Sequence, residues 1–79
     1  MSIGELEKKI GEAASFHRLA ASAVRAHPQA AFEYIRAARD ILAQMWVDME
    51  GAGKFPQAIV DRVMEIEHGL VEVITDLLR

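Results

Sequence analysis

Residues 51–56 carry the clearest turn signal in this 79-residue chain: Gly51-Ala52-Gly53-Lys54-Phe55-Pro56. The first glycine suits the C-terminal cap of one helix, and the proline suits the first turn of the next, where its missing N–H is not needed. A connection this short forces the flanking helices to pack antiparallel. The segment therefore predicts a helical hairpin made of a helix 2 before it and a helix 3 after it.

Helix 3 is predicted over about 56–78 and carries the broadest apolar face of the chain. Its apolar residues recur three and four positions apart, which is the helical period. The face is too wide for one neighbouring helix, so we expect it to contact two. Its members are Ile59, Val60, Val63, Met64, Ile66, Leu70, Val71, Val73, Ile74, Leu77 and Leu78.

Two further signals predict the other helices. Ser2 and Glu5 have the spacing of a capping box, so helix 1 is expected over about 2–26. Pro28 suits the first turn of helix 2 and keeps His27 out of helical geometry, so helix 2 is expected over about 28–50. The sequence thus predicts a single all-α domain over 1–79.

The His27-Pro28 joint leaves the arrangement of helix 1 open. A tight reversal there gives a compact three-helix bundle, whereas a bend leaves helix 1 to pack on a second subunit in an intertwined helical dimer. We favour the compact unit.

Composition predicts association with another chain. Apolar residues make up 52% of the sequence, and one small core cannot hide them all. The chain has no cysteine, so neither disulfides nor thiolate metal sites can staple it. We expect a homodimer or larger homo-oligomer, or a partner amphipathic helix. The residues expected to form the interface are Trp46, Met64, Leu70, Val71, Ile74 and Leu78.

Charge and hydropathy restrict the other partners. The net charge is −3, and no basic cluster exists to neutralise phosphates, so we expect no nucleic acid. No apolar run reaches the roughly 18–20 residues of a membrane span, and the N-terminus lacks the pattern of a secretion signal. Residence in the cytoplasm of a bacterium is the expectation.

Glu65, His68 and Glu72 form the sharpest metal candidate, because Glu-x-x-His is the helical motif of ferritin-like di-iron proteins. Helical geometry, however, places all three on the side of helix 3 opposite its apolar face. A solvated acidic stripe is therefore the favoured interpretation, and a metal-binding bundle is the alternative. No cofactor is expected.

Two other features of the sequence concern single residues. His17 falls on the apolar stripe of helix 1, where a buried imidazole needs a hydrogen-bond partner, and Tyr34 is a candidate. Asp48 and Glu50 lie at the negative end of helix 2, where acids are mildly unfavourable unless a partner supplies a cation. No residue pattern for nucleophilic catalysis is present, so we do not expect an enzyme.

From Ile35 onward the chain resembles the C-terminal half of the flagellin-specific export chaperones. The shared features are Ala38-Arg39-Asp40-Ile41-Leu42, the Met49-Glu50 pair, the Gly51-Ala52-Gly53 hinge and a last helix with Val60, Val63, Met64 and Ile66. The family's aromatic stretch is replaced by Val63-Met64-Glu65-Ile66-Glu67. The resemblance implies a groove that wraps an apolar helix of an exported subunit.

The sequence therefore predicts a small non-enzymatic helical interaction module, acting as an adaptor, chaperone or assembly subunit and self-associating through surplus apolar surface. The alternatives are an export chaperone-like protein and a ferritin-like metal-binding bundle.

Overall fold

The computed structural model describes residues 2–52 and 56–79, and this part of the chain consists of three α-helices joined by short connections. They are α1 (Ile3–Ala23), α2 (Pro28–Ala52) and α3 (Gln57–Leu77). The described residues contain no strand. The all-α prediction is confirmed.

Helix α1 begins as the sequence predicts and ends slightly earlier. The Glu5 N–H donates to the Ser2 hydroxyl at 3.2 Å, so serine caps the first turn. The last helical residue is Ala23, three residues before the expected end, and residues 24–26 form a turn. The reason is that the chain must both reverse and leave helical geometry ahead of Pro28.

The first hinge is a tight reversal, so the chain forms the compact bundle. Helix α1 folds back along α2, and these two helices approach each other most closely. Buried alanines lie on both helices, and small side chains let two helix axes come near each other. The buried alanines are Ala13 and Ala20 on α1 and Ala31 and Ala38 on α2.

The second hinge differs in detail from the prediction. Helix α2 continues to Ala52, so Gly51 is helical and exposed and does not cap the helix. A helical glycine costs about 1 kcal/mol relative to alanine but does not by itself end a helix. Pro56 is the N-cap of α3 and not its first helical residue, and its carbonyl accepts from the Ile59 N–H at 3.0 Å. Positions 53–55 of the predicted hinge lie outside the described residues.

The helices alternate in direction. Trp46 on α2 bonds to Glu67 on α3, which fixes the levels of this antiparallel pair. His17 on α1 lies against Gly69 on α3, and these two helices run parallel. Helix α3 contacts both of the other helices, as its broad face predicts, and its packing on α2 is the least close of the three pairings.

The core runs the length of a bundle that measures 40 × 17 × 16 Å. No described polar or charged residue is fully buried. None of the helices in the described ranges is long and apolar enough to cross a membrane. The largest fully buried side chains are Leu6, Ile10, Leu42, Met45, Val63 and Leu70.

Candidate interaction surface

An open groove of about 400 Å³ lies between α2 and α3. It lies on the side of α2 away from α1, because α1 packs where Tyr34 stacks on Phe16. Leu42 and Leu70 are buried beneath it. The groove is mostly apolar, and its lining residues are Arg39, Leu42, Ala43, Trp46, Glu67, Leu70, Val71 and Ile74.

One hydrogen bond crosses this groove. The indole N–H of Trp46 donates to a carboxylate oxygen of Glu67, and both side chains are half-buried. A bond to a carboxylate is stronger than one between neutral groups. The bond joins α2 to α3 at one end of the groove. It also gives the Glu67 carboxylate a hydrogen-bond donor beside the apolar lining.

Helix α3 presents a second apolar stripe beside the one that it buries. The buried stripe contains Ile59, Val63, Ile66, Leu70 and Val73. At 100° per residue, a neighbouring stripe is rotated by about 100° toward the groove and repeats four and three positions apart. Its residues are Val60, Met64, Glu67, Val71, Ile74 and the C-cap residue Leu78, of which only Glu67 is polar.

Helix α2 forms the other side of the groove. A second shallow groove of about 370 Å³ adjoins the first and shares Arg39 and Ala43 with it. Phe32 lines this extension and is about half exposed, and Val47 is 61% exposed on the same side of the helix. We call the whole surface the α2–α3 face. Its residues outside the buried core are Phe32, Arg36, Arg39, Asp40, Ala43, Trp46, Val47 and Glu50 on α2, and the second stripe on α3.

The exposed large hydrophobic residues concentrate on this face. Within residues 2–52 and 56–79 there are seven, and five lie on the α2–α3 face: Phe32, Val47, Met64, Val71 and Leu78. The remaining two, Ile3 and Leu19, lie on α1. Scattered single apolar residues are ordinary on a protein surface, so the informative observation is that five of the seven share one side of the bundle.

The structure brings most of the predicted interface residues together and corrects one of them. Trp46, Val71 and Ile74 line the groove, and Val71 is 61% exposed. Leu70 also reaches the groove but is only 2% exposed, so it belongs to the core of the chain. The period of α3 alone could not separate Leu70 from Val71, because both belong to one wide apolar sector.

Met64 and Leu78 lie outside the groove lining but on the same stripe of α3, and Leu78 is 82% exposed. On α2, sequence reasoning identified Trp46 but missed the other exposed apolar residues of the face. Phe32, Ala43 and Val47 repeat at helical spacing there, but arginines at positions 36 and 39 interrupt the pattern. The helical spacing of these residues is visible in the sequence, but the intervening arginines keep them from forming a continuous apolar stripe.

His17 does not pair with Tyr34. The imidazole is half-buried and packs on Gly69 of α3, so closely that a Cβ at Gly69 would lie 2.5 Å from its Cε1 atom. Tyr34 stacks instead on Phe16, with ring centroids 6.2 Å apart. The sequence placed His17 on the buried side of α1 but could not show which helix it would meet.

The metal candidate has the outward placement that helical geometry predicts. Glu65, His68 and Glu72 are all exposed on α3. No group of three or more His, Cys, Asp or Glu side chains suited to a metal ion occurs in the described part of the chain.

Comparison of the chain with protein-family models, with curated proteins and with solved structures finds no match. The resemblance to flagellin-specific export chaperones is therefore untested and stays a prediction.

Proposed function

We propose that this chain is a small, non-enzymatic protein–protein interaction module of the cytoplasm that works as an adaptor, chaperone or assembly subunit and self-associates. Its binding surface is the α2–α3 face. The single observation that carries the proposal is the concentration of exposed large hydrophobic residues on that face.

The chain does not need these residues for its own core. Leu42, Met45, Val63 and Leu70 fill the interior while Val71 and Leu78 stay in water. A side chain of this size gains about 1.5–3 kcal/mol when it is fully buried. A face that exposes several of them gains free energy by covering them with another apolar surface.

The total surface is consistent with an uncovered face. The chain exposes 5328 Å², whereas a compact monomer of 8.8 kDa is expected to expose about 4,800 Å². The elongated shape of the bundle accounts for part of this excess surface. A partner bound on the α2–α3 face would cover the exposed apolar part of it.

The chemistry of the groove also favours binding. Its lining is mainly Leu, Ile, Val, Ala and Trp, and its carboxylate already accepts the indole N–H. Such a groove accepts the apolar face of an amphipathic helix, as helix-in-groove complexes do. Ala43 leaves room for a second helix backbone to approach.

Site-specific photo-crosslinking in the cells that make the protein tests this proposal. A photoreactive residue at Val71 should capture a protein, either another copy of the chain or a different one. The same residue at Leu19, which is also exposed but lies on α1, should capture far less. Equal capture at both positions, or none at Val71, would contradict the proposal.

A further inference from the structure

We infer that the α2–α3 face takes a second copy of this chain, antiparallel to the first, across a two-fold axis at the level of Ala43 and Val71. In this dimer α2 packs on α2 and α3 on α3, and Arg36 of each copy pairs with Glu50 of the other. The inference rests on the proposed function and adds the occupant of the face and its orientation.

The first argument is the charge pattern of α2. Arg36, Ala43 and Glu50 are spaced seven residues apart, so they lie along one line of the helix with a cation, a methyl group and an anion. When two copies of this line pack antiparallel and cross at Ala43, each Arg36 faces a Glu50. The small residue at the centre lets the two helices approach, and a parallel arrangement would instead oppose like charges.

The second argument is an independent pattern on α3. Met64, Val71 and Leu78 are also seven residues apart and are all exposed. In an antiparallel pair that crosses at Val71, the two Val71 side chains meet and each Met64 faces a Leu78. Every contact between the two copies of this line is therefore between apolar side chains.

Both patterns have their centre at the same level of the bundle. Counting from the Trp46–Glu67 bond, Val71 is four residues along α3, and Ala43 is three residues back along α2. The two centres thus agree to about one residue, or roughly 1.5 Å along the axis. Both residues line the same groove. A single two-fold axis can therefore satisfy both helices.

The pairing also places a cation beside Glu50. Glu50 lies in the last turn of α2, at the negative end of the helix dipole, and that turn contains no basic residue. Among residues 2–52 and 56–79, Arg79–Asp76 is the only ion pair, so no described residue forms an ion pair with Arg36 or Glu50. Arg36 of a second copy would neutralise Glu50 at this position.

The length and width of the bundle set an upper limit on the area that such a dimer could bury. A side of the bundle that measures 40 × 17 Å covers about 700 Å². Standard interfaces bury about 800 Å² on each partner, and contacts of 1,200 Å² in total or more are typical of specific complexes. Two whole sides of this size would bury about 1,400 Å² in total, so the bundle is large enough to provide an interface in that range.

Charge reversal tests the pairing directly. Sedimentation equilibrium in low-salt buffer gives the dimer dissociation constant of the wild-type chain and of each variant. Arg36→Glu and Glu50→Arg should each raise it about tenfold, because two pairs per dimer change from attraction to repulsion. The double variant should return to within about threefold of the wild type. Arg25→Glu, in the turn after α1, changes the net charge by the same amount as Arg36→Glu and should have no effect.

A cysteine at the centre tests the position of the axis. The chain has no cysteine of its own, so Val71→Cys introduces a single thiol. Oxidation should convert this variant to a disulfide-linked dimer, since the two thiols meet across the axis. Leu19→Cys, exposed on α1, should not form a disulfide-linked dimer under the same conditions.

Three results would overturn the inference. They are a double variant as weakly associated as the single variants, a Val71→Cys chain that does not link, and a wild-type chain that is monomeric at every concentration. The proposed function is tested separately. Capture of a different protein at Val71 by a monomeric chain would support the interaction module while ruling out the second copy.

Discussion

The contact between His17 and Gly69 gives a sharp prediction about packing. A Cβ built at Gly69 would lie 2.5 Å from Cε1 and 2.6 Å from Nε2 of the imidazole. Carbon atoms pack best at about 3.5–4.0 Å, so the ring would have to move by about 1 Å or more. We therefore expect Gly69→Ala to force His17 away from α3.

Two opposing terms set the size of the effect. Alanine is favoured over glycine inside a helix by about 1 kcal/mol. Overpacking of a filled contact typically costs 1–3 kcal/mol. Gly69→Ala should therefore lower the free energy of unfolding by about 1 kcal/mol, which corresponds to a fall in Tm of about 4–8 °C for a domain of this size.

Two matched variants separate the terms. Gly11 is also in a helix interior, but a Cβ there would meet nothing within 4 Å, so Gly11→Ala should raise the free energy of unfolding by about 0.5–1 kcal/mol. In a His17→Ala background the clash is absent, and Gly69→Ala should then stabilise by about 1 kcal/mol.

Urea unfolding followed by circular dichroism measures all of these variants. The coupling between positions 17 and 69 in the double-mutant cycle should reach about 2 kcal/mol. If Gly69→Ala stabilises the wild-type chain as much as Gly11→Ala does, the imidazole does not pack on the glycine and the described contact between α1 and α3 is wrong.

Three further predictions concern the core, the cap and the groove. Leu70→Ala should lower the free energy of unfolding by about 2–5 kcal/mol, whereas Val71→Ala should change it by about 0.5 kcal/mol or less in dilute, monomeric protein; similar urea midpoints would refute the assignment of Leu70 to the core. Ser2→Ala should cost about 1 kcal/mol in thermal unfolding, because the N-cap bond is lost, and an unchanged Tm would mean that the cap is not formed in solution. Glu67→Ala should shift the fluorescence of Trp46, the only tryptophan, because the indole loses its carboxylate partner; an unchanged spectrum would argue against that bond.

Much of the fold could be predicted from local patterns. The Ser2 cap and the apolar period placed three helices, and Pro28 marked the start of α2, because these features act within a few residues. The end of α2 was wrong by two residues, since Gly51 is compatible with both a cap and a helix. The direction of the first hinge was not decided by the sequence. It depends on which side chains of α1 and α2 meet, such as Phe16 and Tyr34, and these residues are distant in the chain.

The candidate surface was harder to predict than the fold. The apolar width of α3 indicated that some of it would stay exposed, and Val71, Met64 and Leu78 were expected at an interface. The sequence could not show that Leu70 would be covered by the chain itself. Nor could it show that the loose packing of α3 on α2 would open a groove, because that depends on how three helices share one core.

The mass of the chain in solution tests the central claim most directly. Light scattering over a concentration series should show the wild-type protein rising from 8.8 kDa to about twice that mass. Val71→Lys on the α2–α3 face should remain at the monomer mass, whereas Leu19→Lys on α1 should associate as the wild type does. A Val71→Lys chain that associates as strongly as the wild type would contradict the assignment of this face.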